Sequence, residues 1–187
     1  MLRIILKAHE SHRESVIEPF CLSYGQDLVW IAPDTATFSL EHASSIQLRV
    51  LYDTVRDDLG FRMTMVIGFD HDLVLGEALA VALDWVPGQI TELGDLLILA
   101  HHHNDQRLAM AIDRVLSAVE KDVLETARMQ LLTGSNGVLA AQLLYIHRNT
   151  FRYRLDKFIQ LTGIDLREPT LAYALKVYGT LAQQSLE

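Results

Sequence analysis

Three features of these 187 residues predict an α+β fold, with an N-terminal α+β sandwich followed by an all-α helix-turn-helix domain. Short apolar runs, partly β-branched, alternate with helix-spaced segments over residues 1–88 in the order β, β, β, α, β, α. Residues 90–100 and 106–133 then carry apolar side chains at helical spacing. Finally, residues 144–155 join a short turn to a helix whose two faces differ in chemistry. Half of the chain (50%) is hydrophobic, enough for a proper core in one ordinary domain or two small ones.

Residues 2–7 open the chain as an apolar strand. Two further strands, 20–23 and 28–32, flank Tyr24, Gly25, Gln26 and Asp27, a turn-forming group suited to a hairpin. The spacing next predicts a helix from Ser39 or Glu41 to Asp58, closed near Gly60. A strand over 62–67 and a helix over 72–85, stopped by Pro87 and Gly88, complete the first domain. Such an order suggests helices on one side of a mostly antiparallel sheet. Residues 89–121 read as a helical connector. From Leu108 through Ile112, Val115, Val119 and Val123 to Ala127 the apolar spacing is unbroken, which predicts one long helix entering a third unit, residues 122–187.

In that unit Ser135 and Asn136 are N-cap candidates for a short helix. Its small residues Ala140 and Ala141 allow a second helix to approach, and Ile146 plugs the turn between them. Gly137 and Val138 weaken the helix start. On the second helix Phe151, Leu155, Phe158 and Ile159 form an apolar stripe, while Asn149, Arg152, Tyr153 and Asp156 point away from it. Arg154 lies about 60° from Phe151 at the stripe's edge, which suits packing or an ion pair. Arginine can fork onto guanine and asparagine onto adenine, and a helix N-terminus offers N–H groups to phosphate. The reading is a nucleic-acid recognition helix; the alternative on pattern alone is two packed helices in an α-rich domain. A last helix follows Glu168 and Pro169.

Composition narrows the classes. No apolar run reaches the ~18 to 20 residues of a membrane span, and Arg3 and Lys7 flank only a brief apolar piece, so neither a membrane anchor nor a signal peptide is expected. One cysteine, Cys21, cannot form an internal disulfide, in keeping with a cytoplasmic location. A net charge of −8 opposes binding to a polyanion. The charge is uneven, however: Arg148, Arg152, Arg154 and Lys157 meet only Asp156 within residues 145–159. A small basic face on an acidic body predicts two recognition helices acting together, hence a homodimer on an inverted repeat of double-stranded DNA. The 108–127 stretch and the last helix are the expected interfaces.

Residues 122–182, which contain His147-Arg-Asn-Thr-Phe-Arg-Tyr-Arg-Leu155 and Leu161-Thr-Gly-Ile-Asp-Leu166, resemble the C-terminal domain of the PucR and CdaR family of bacterial transcription regulators. That family controls genes of purine, sugar-diacid and related catabolism, usually carries an N-terminal sensory domain, and is similar to the Fis-type DNA-binding fold. The resemblance implies that Arg148, Asn149, Thr150, Arg152 and Tyr153 contact DNA, with His147 and Lys157 near phosphates. Gly137 and Val138 differ from the polar cap typical of the family. By element order, residues 1–88 resemble a degenerate GGDEF-type domain, a nucleotidyl-cyclase-related module that often precedes the family's helix-turn-helix.

Cyclase chemistry needs two glycines beside the phosphates and an acidic pair on a metal, yet the corresponding place reads Gly25-Gln-Asp-Leu-Val29. The expectation is a regulatory domain without catalysis, and no cofactor. Metal sites are not expected at His9 and His12, which lack a third ligand, nor at His101, His102 and His103, which read as a solvated helix end. The competing class is a ligand-sensing or protein-interaction module that keeps the helix-turn-helix fold without binding DNA. The effector, if any, is not legible.

Overall fold

The computed structural model describes residues 2–9, 17–40 and 45–184. Its sheet has five strands: β1 (Leu2–Ala8), β2 (Gly25–Ala32), β3 (Thr35–Leu40), β4 (Met63–Gly68) and β5 (Ile90–Glu92), in the order β2-β3-β1-β4-β5. β1 is central and antiparallel to both neighbours, setting Ile4 opposite Phe38 and Ile67, and Arg3 opposite Ser39 and Gly68. β5 joins β4 in parallel. All residues of β3 and β4 are buried, so both faces of the sheet are covered at these strands, whereas the edge strand β2 is largely exposed. This differs from the one-sided layer expected from element order. The polar residues that an alternating pattern assigns to solvent are buried and bonded instead: Arg3 donates to Ser39 Oγ at 2.7 Å and Thr37 Oγ1 at 3.0 Å.

Residues 20–23 are not a strand. They lie in helix α1 (Glu18–Tyr24), which Pro19 opens at a position where a missing N–H costs nothing. A short apolar run cannot by itself separate strand from helix. The hairpin turn therefore falls at Pro33 and Asp34, between β2 and β3, rather than at residues 24–27. Gly25 sits inside β2, where an added Cβ would lie 2.4 Å from Phe38 and from the Ser39 carbonyl oxygen.

Helix α2 (Ser45–Leu59) begins later than residue 39, which belongs to β3; residues 41–44 lie outside the described residues. Its Tyr52 is buried and donates to the carbonyls of Met63 and Gly88, both at 2.7 Å. Helix α3 (Asp72–Trp85) has the limits read from its sequence and buries Val74, Leu75, Ala78 and Ala82. Helix α4 (Leu93–His102) starts only after β5, where helical spacing had been read from residue 90.

The expected long helix is two, α5 (Arg107–Ser117) and α6 (Lys121–Leu132). Glu120, in an extended conformation, starts the second, while Val119 stays buried and so keeps the apolar spacing intact across the break. The helices α7 (Gly137–Leu143), α8 (Arg148–Thr162) and α9 (Pro169–Gln184) follow. α9 packs on α4, α5 on α3, and α8 on α6 and α7. One buried apolar cluster extends from β1 to α9. Among the described residues no helix is long and apolar enough to cross a membrane.

Candidate nucleic-acid interface

The helix-turn-helix is built from α7, a short turn and α8. Asn136 caps α7, its Oδ1 accepting from the Leu139 amide at 3.1 Å. A polar cap is therefore present one residue ahead of Gly137. Glycine at 137 has a packing reason, because a Cβ there would meet the Phe151 ring at 3.3 Å. Ala140 and Ala141 are buried, and the Ile146 amide closes the turn on the Ala141 carbonyl at 3.1 Å. His147 then caps α8: its Nδ1 accepts from the Asn149 amide at 3.2 Å, a role open to an imidazole unprotonated at that nitrogen.

α8 buries Phe151, Leu155, Phe158 and Thr162. Ile159, expected in the stripe, is half-buried at its edge, and Thr162 takes the inner place by donating to the Phe158 carbonyl at 2.8 Å. The opposite side carries His147, Arg148, Asn149, Thr150, Arg152 and Tyr153, all exposed, so the structure brings these sequence-identified residues onto one accessible end of one helix. Gly163 ends α8 at φ 73°. A Cβ there would lie 2.8 Å from the Asp70 carbonyl oxygen, in the loop between β4 and α3.

Charge on this helix is divided sharply. Arg154 pairs with Asp122 at 2.9 Å, the ion-pair role its position suggested. Lys157 donates to both carboxylate oxygens of Glu120 at 2.8 Å, and that hydrogen-bonded carboxylate holds its ammonium pKa above the usual lysine range. Arg167 binds Asp165 at 2.8 Å, keeping that carboxyl below its ordinary value, and reaches Asp156 at 3.8 Å. Arg148 and Arg152 have no such partner among the described residues. They border an open cleft of about 860 Å³ lined also by Asn136, Gly137, Asn149 and Arg167, with Phe151 and Leu155 beneath.

Gln130 also lines this cleft; it is only 4% exposed, and its Oε1 has no hydrogen-bond partner. Sequence reasoning passed over Gln130 and Arg167. The signal for Gln130 was present, a polar residue in helical register with buried Val123 and Ala127.

Elsewhere, His9 Nε2 pairs with Thr64 Oγ1 at 2.7 Å, while His12 lies outside the described residues. His101, His102 and His103 are exposed at the end of α4, and His103 stacks on Trp85 at 3.8 Å. Among the described residues no group of three His, Cys, Asp or Glu side chains is placed to hold a metal ion. A second hollow of about 590 Å³ lies between α4, α5 and α9, where the Tyr178 hydroxyl donates to Asp113.

A helix-turn-helix with an exposed polar N-terminal end on its second helix defines the class of this unit. Residues 123–178 match the PucR C-terminal helix-turn-helix domain, and this part of the chain is a domain of that kind. An uncharacterized protein of Bacillus subtilis is 38% identical over 53 residues, 28% of this chain and 18% of its own length. An uncharacterized protein of Mycobacterium tuberculosis is 32% identical over 91 residues, 49% of this chain and 20% of its own. The chain thus spans about a fifth of the length of these relatives. A leucine-rich protein of Streptococcus dysgalactiae subsp. equisimilis is 28% identical over 163 residues, 77% of this chain and 57% of its own. Among solved structures, a regulator of polyketide synthase expression from Bifidobacterium adolescentis aligns over 98% of this chain and 81% of its own, at 16% identity and a TM-score of 0.48.

Proposed function

We propose that this chain is a cytoplasmic, DNA-binding transcriptional regulator of the PucR and CdaR type, reading the major groove with α8. The observation that carries this reading is the pair Arg148 and Arg152, exposed beside an open cleft and without ion-pair partners among the described residues, while Arg154, Lys157 and Arg167 are held by acids. Unpaired exposed arginines at the amino end of a recognition helix suit base edges and phosphates. In this reading Arg148 and Asn149 contact bases, and Thr150, Arg152, Tyr153 and His147 hold the backbone. Lys157 joins them only by leaving Glu120. The match of residues 123–178 to the PucR domain supports it.

The unit 122–187 would bind DNA and the part ahead of it, 1–88 with the connector 89–121, would serve as a regulatory body related to GGDEF domains, acting by binding rather than catalysis. Two copies would dock on half-sites about 34 to 36 Å apart. Recovery of bound genomic fragments from cells tests the reading: an inverted repeat enriched by the wild-type chain and lost with Arg148→Ala and Arg152→Ala is the expected result. Sedimentation with and without the recovered duplex tests the assembly, and a monomer bound to one half-site in both cases refutes the dimer.

A second reading, a sensing or interaction module that has lost DNA binding, is favoured by the −8 charge and by the acids that neutralise Arg154 and Lys157. No enrichment of DNA over background selects it.

A further inference from the structure

Tyr145, in the turn between α7 and α8, combines two unfavourable features. It is 96% exposed, and its φ is 54°, in the left-handed region where a Cβ crowds the following carbonyl. The other non-glycine residues with positive φ among the described residues are Asp27, Asn104 and Ser135, whose short polar side chains suit that conformation. Tyrosine has no such compensation. The turn itself is closed by main-chain bonds, Tyr145 N–H to the Gln142 carbonyl at 3.0 Å and Ile146 N–H to the Ala141 carbonyl at 3.1 Å, which glycine would make equally well. The Tyr145 ring is not packed and its hydroxyl has no partner among the described residues, so nothing within the fold rewards the residue. Backbone strain kept without a folding benefit belongs where it serves contact with something else. Tyr145 stands two residues before the α8 cap, His147, at the same end of the helix as Arg148 and Asn149.

We propose that Tyr145 is a DNA-backbone contact: its phenol O–H donates to a phosphate oxygen and its ring lies against the adjoining deoxyribose, setting how the recognition helix enters the groove. The assignment rests on the DNA-binding reading above and adds a residue to it. Being uncharged and directed at the backbone, the contact is independent of sequence and of salt-driven counterion release.

The test compares the wild-type chain with Tyr145→Gly and Tyr145→Phe on two duplexes of equal length, one recovered by selection with the wild type and one of random sequence. Tyr145→Gly should bind both about tenfold more weakly for each recognition helix engaged, as expected for losing one hydrogen bond to a charged oxygen per protomer. Its melting temperature should be unchanged or higher, and the salt dependence of binding unchanged. Tyr145→Phe should fall between. Wild-type affinity in Tyr145→Gly, with wild type itself binding DNA, overturns this assignment and leaves the wider reading standing. A lowered melting temperature shows a structural role instead, and a loss confined to the selected duplex shows a base contact; either overturns the backbone contact. A wild-type chain that retains neither duplex overturns both readings.

Discussion

Replacing Glu120 by glutamine should make this protein a stronger and more salt-sensitive binder of random DNA. In the wild type, Lys157 is held by Glu120 and Arg154 by Asp122, so among the described residues Arg148 and Arg152 are the α8 arginines without an acid partner. Each phosphate neutralised contributes about 0.9 to the slope of log affinity against log salt, so two free cations give about 1.8 per protomer and about 3.6 per dimer. If the two paired side chains also neutralised phosphates, the dimer slope would be about 7. Between about 50 and 200 mM salt the first slope is a loss of roughly 150-fold and the second of roughly 20,000-fold, a difference that anisotropy titrations on a labelled random duplex resolve readily. Glu120→Gln frees Lys157 and should steepen the slope by about one per protomer. Asp122→Asn should do the same through Arg154. A wild-type slope near 7, or a Glu120→Gln slope equal to wild type, refutes the argument that these acids withhold the cations from DNA.

Arg148→Ala and Asn149→Ala should each cost about 1 to 3 kcal/mol more on a selected duplex than on random DNA, where Arg148 acts only as a phosphate-facing charge, and equal losses on both would remove them from the base-reading set. Gly163→Ala, which combines a left-handed φ with a carbonyl 2.8 Å from the new Cβ, should destabilise the chain by more than about 1 kcal/mol in denaturant titrations; a neutral result would mean the α8 end is not held against the β4–α3 loop. Cys21 is fully buried and burial pushes its thiol up to about 12, so a thiol-specific reagent at neutral pH should label it only on unfolding, and rapid stoichiometric labelling of folded protein would contradict its placement. The sign of its pH effect follows from the raised folded value: the contribution is fully present below the ordinary value of 9.0 and is lost as pH rises through about 12, visible as a falling denaturant midpoint that Cys21→Ala should flatten.

What could be read from the letters was whatever local chemistry decides. Helix α3 ends ahead of Pro87 and Gly88, and Asn136 opens α7 with a side-chain cap, while the left-handed stop of α8 at Gly163 emerges only in the structure. The outward placement of Asn149, Arg152 and Tyr153 on α8 followed from helical spacing. Failures occurred where a short segment had two local solutions. Residues 20–23 suit a strand or a helix, β5 is three residues long, and Val119 keeps the apolar register of α5 and α6 through a break marked only by the backbone of Glu120. Strand β3 goes unread in the letters because its Thr35, Thr37 and Ser39 are polar yet buried, two of them satisfied by the Arg3 guanidinium from another strand.

The charge of the candidate site belongs to that second, non-local kind. Counting letters makes residues 145–159 a basic patch, with Arg148, Arg152, Arg154 and Lys157 against Asp156. The fold brings Glu120 and Asp122, from the start of α6, onto two of those cations, because α6 and α8 pack together through Val123 and Ala127 on one side and Phe151, Leu155 and Phe158 on the other. Packing of apolar faces therefore decides which of these cations are paired, and among the described residues it leaves Arg148 and Arg152 unpaired at the amino end, beside Asn149 and the cleft. On the proposed DNA-binding reading, such an arrangement lowers the sequence-independent electrostatic attraction while sparing the groups assigned there to base reading. In a chain of net charge −8 that reading predicts selectivity over general affinity for DNA, with affinity supplied by the two recognition helices of the proposed dimer engaged at once.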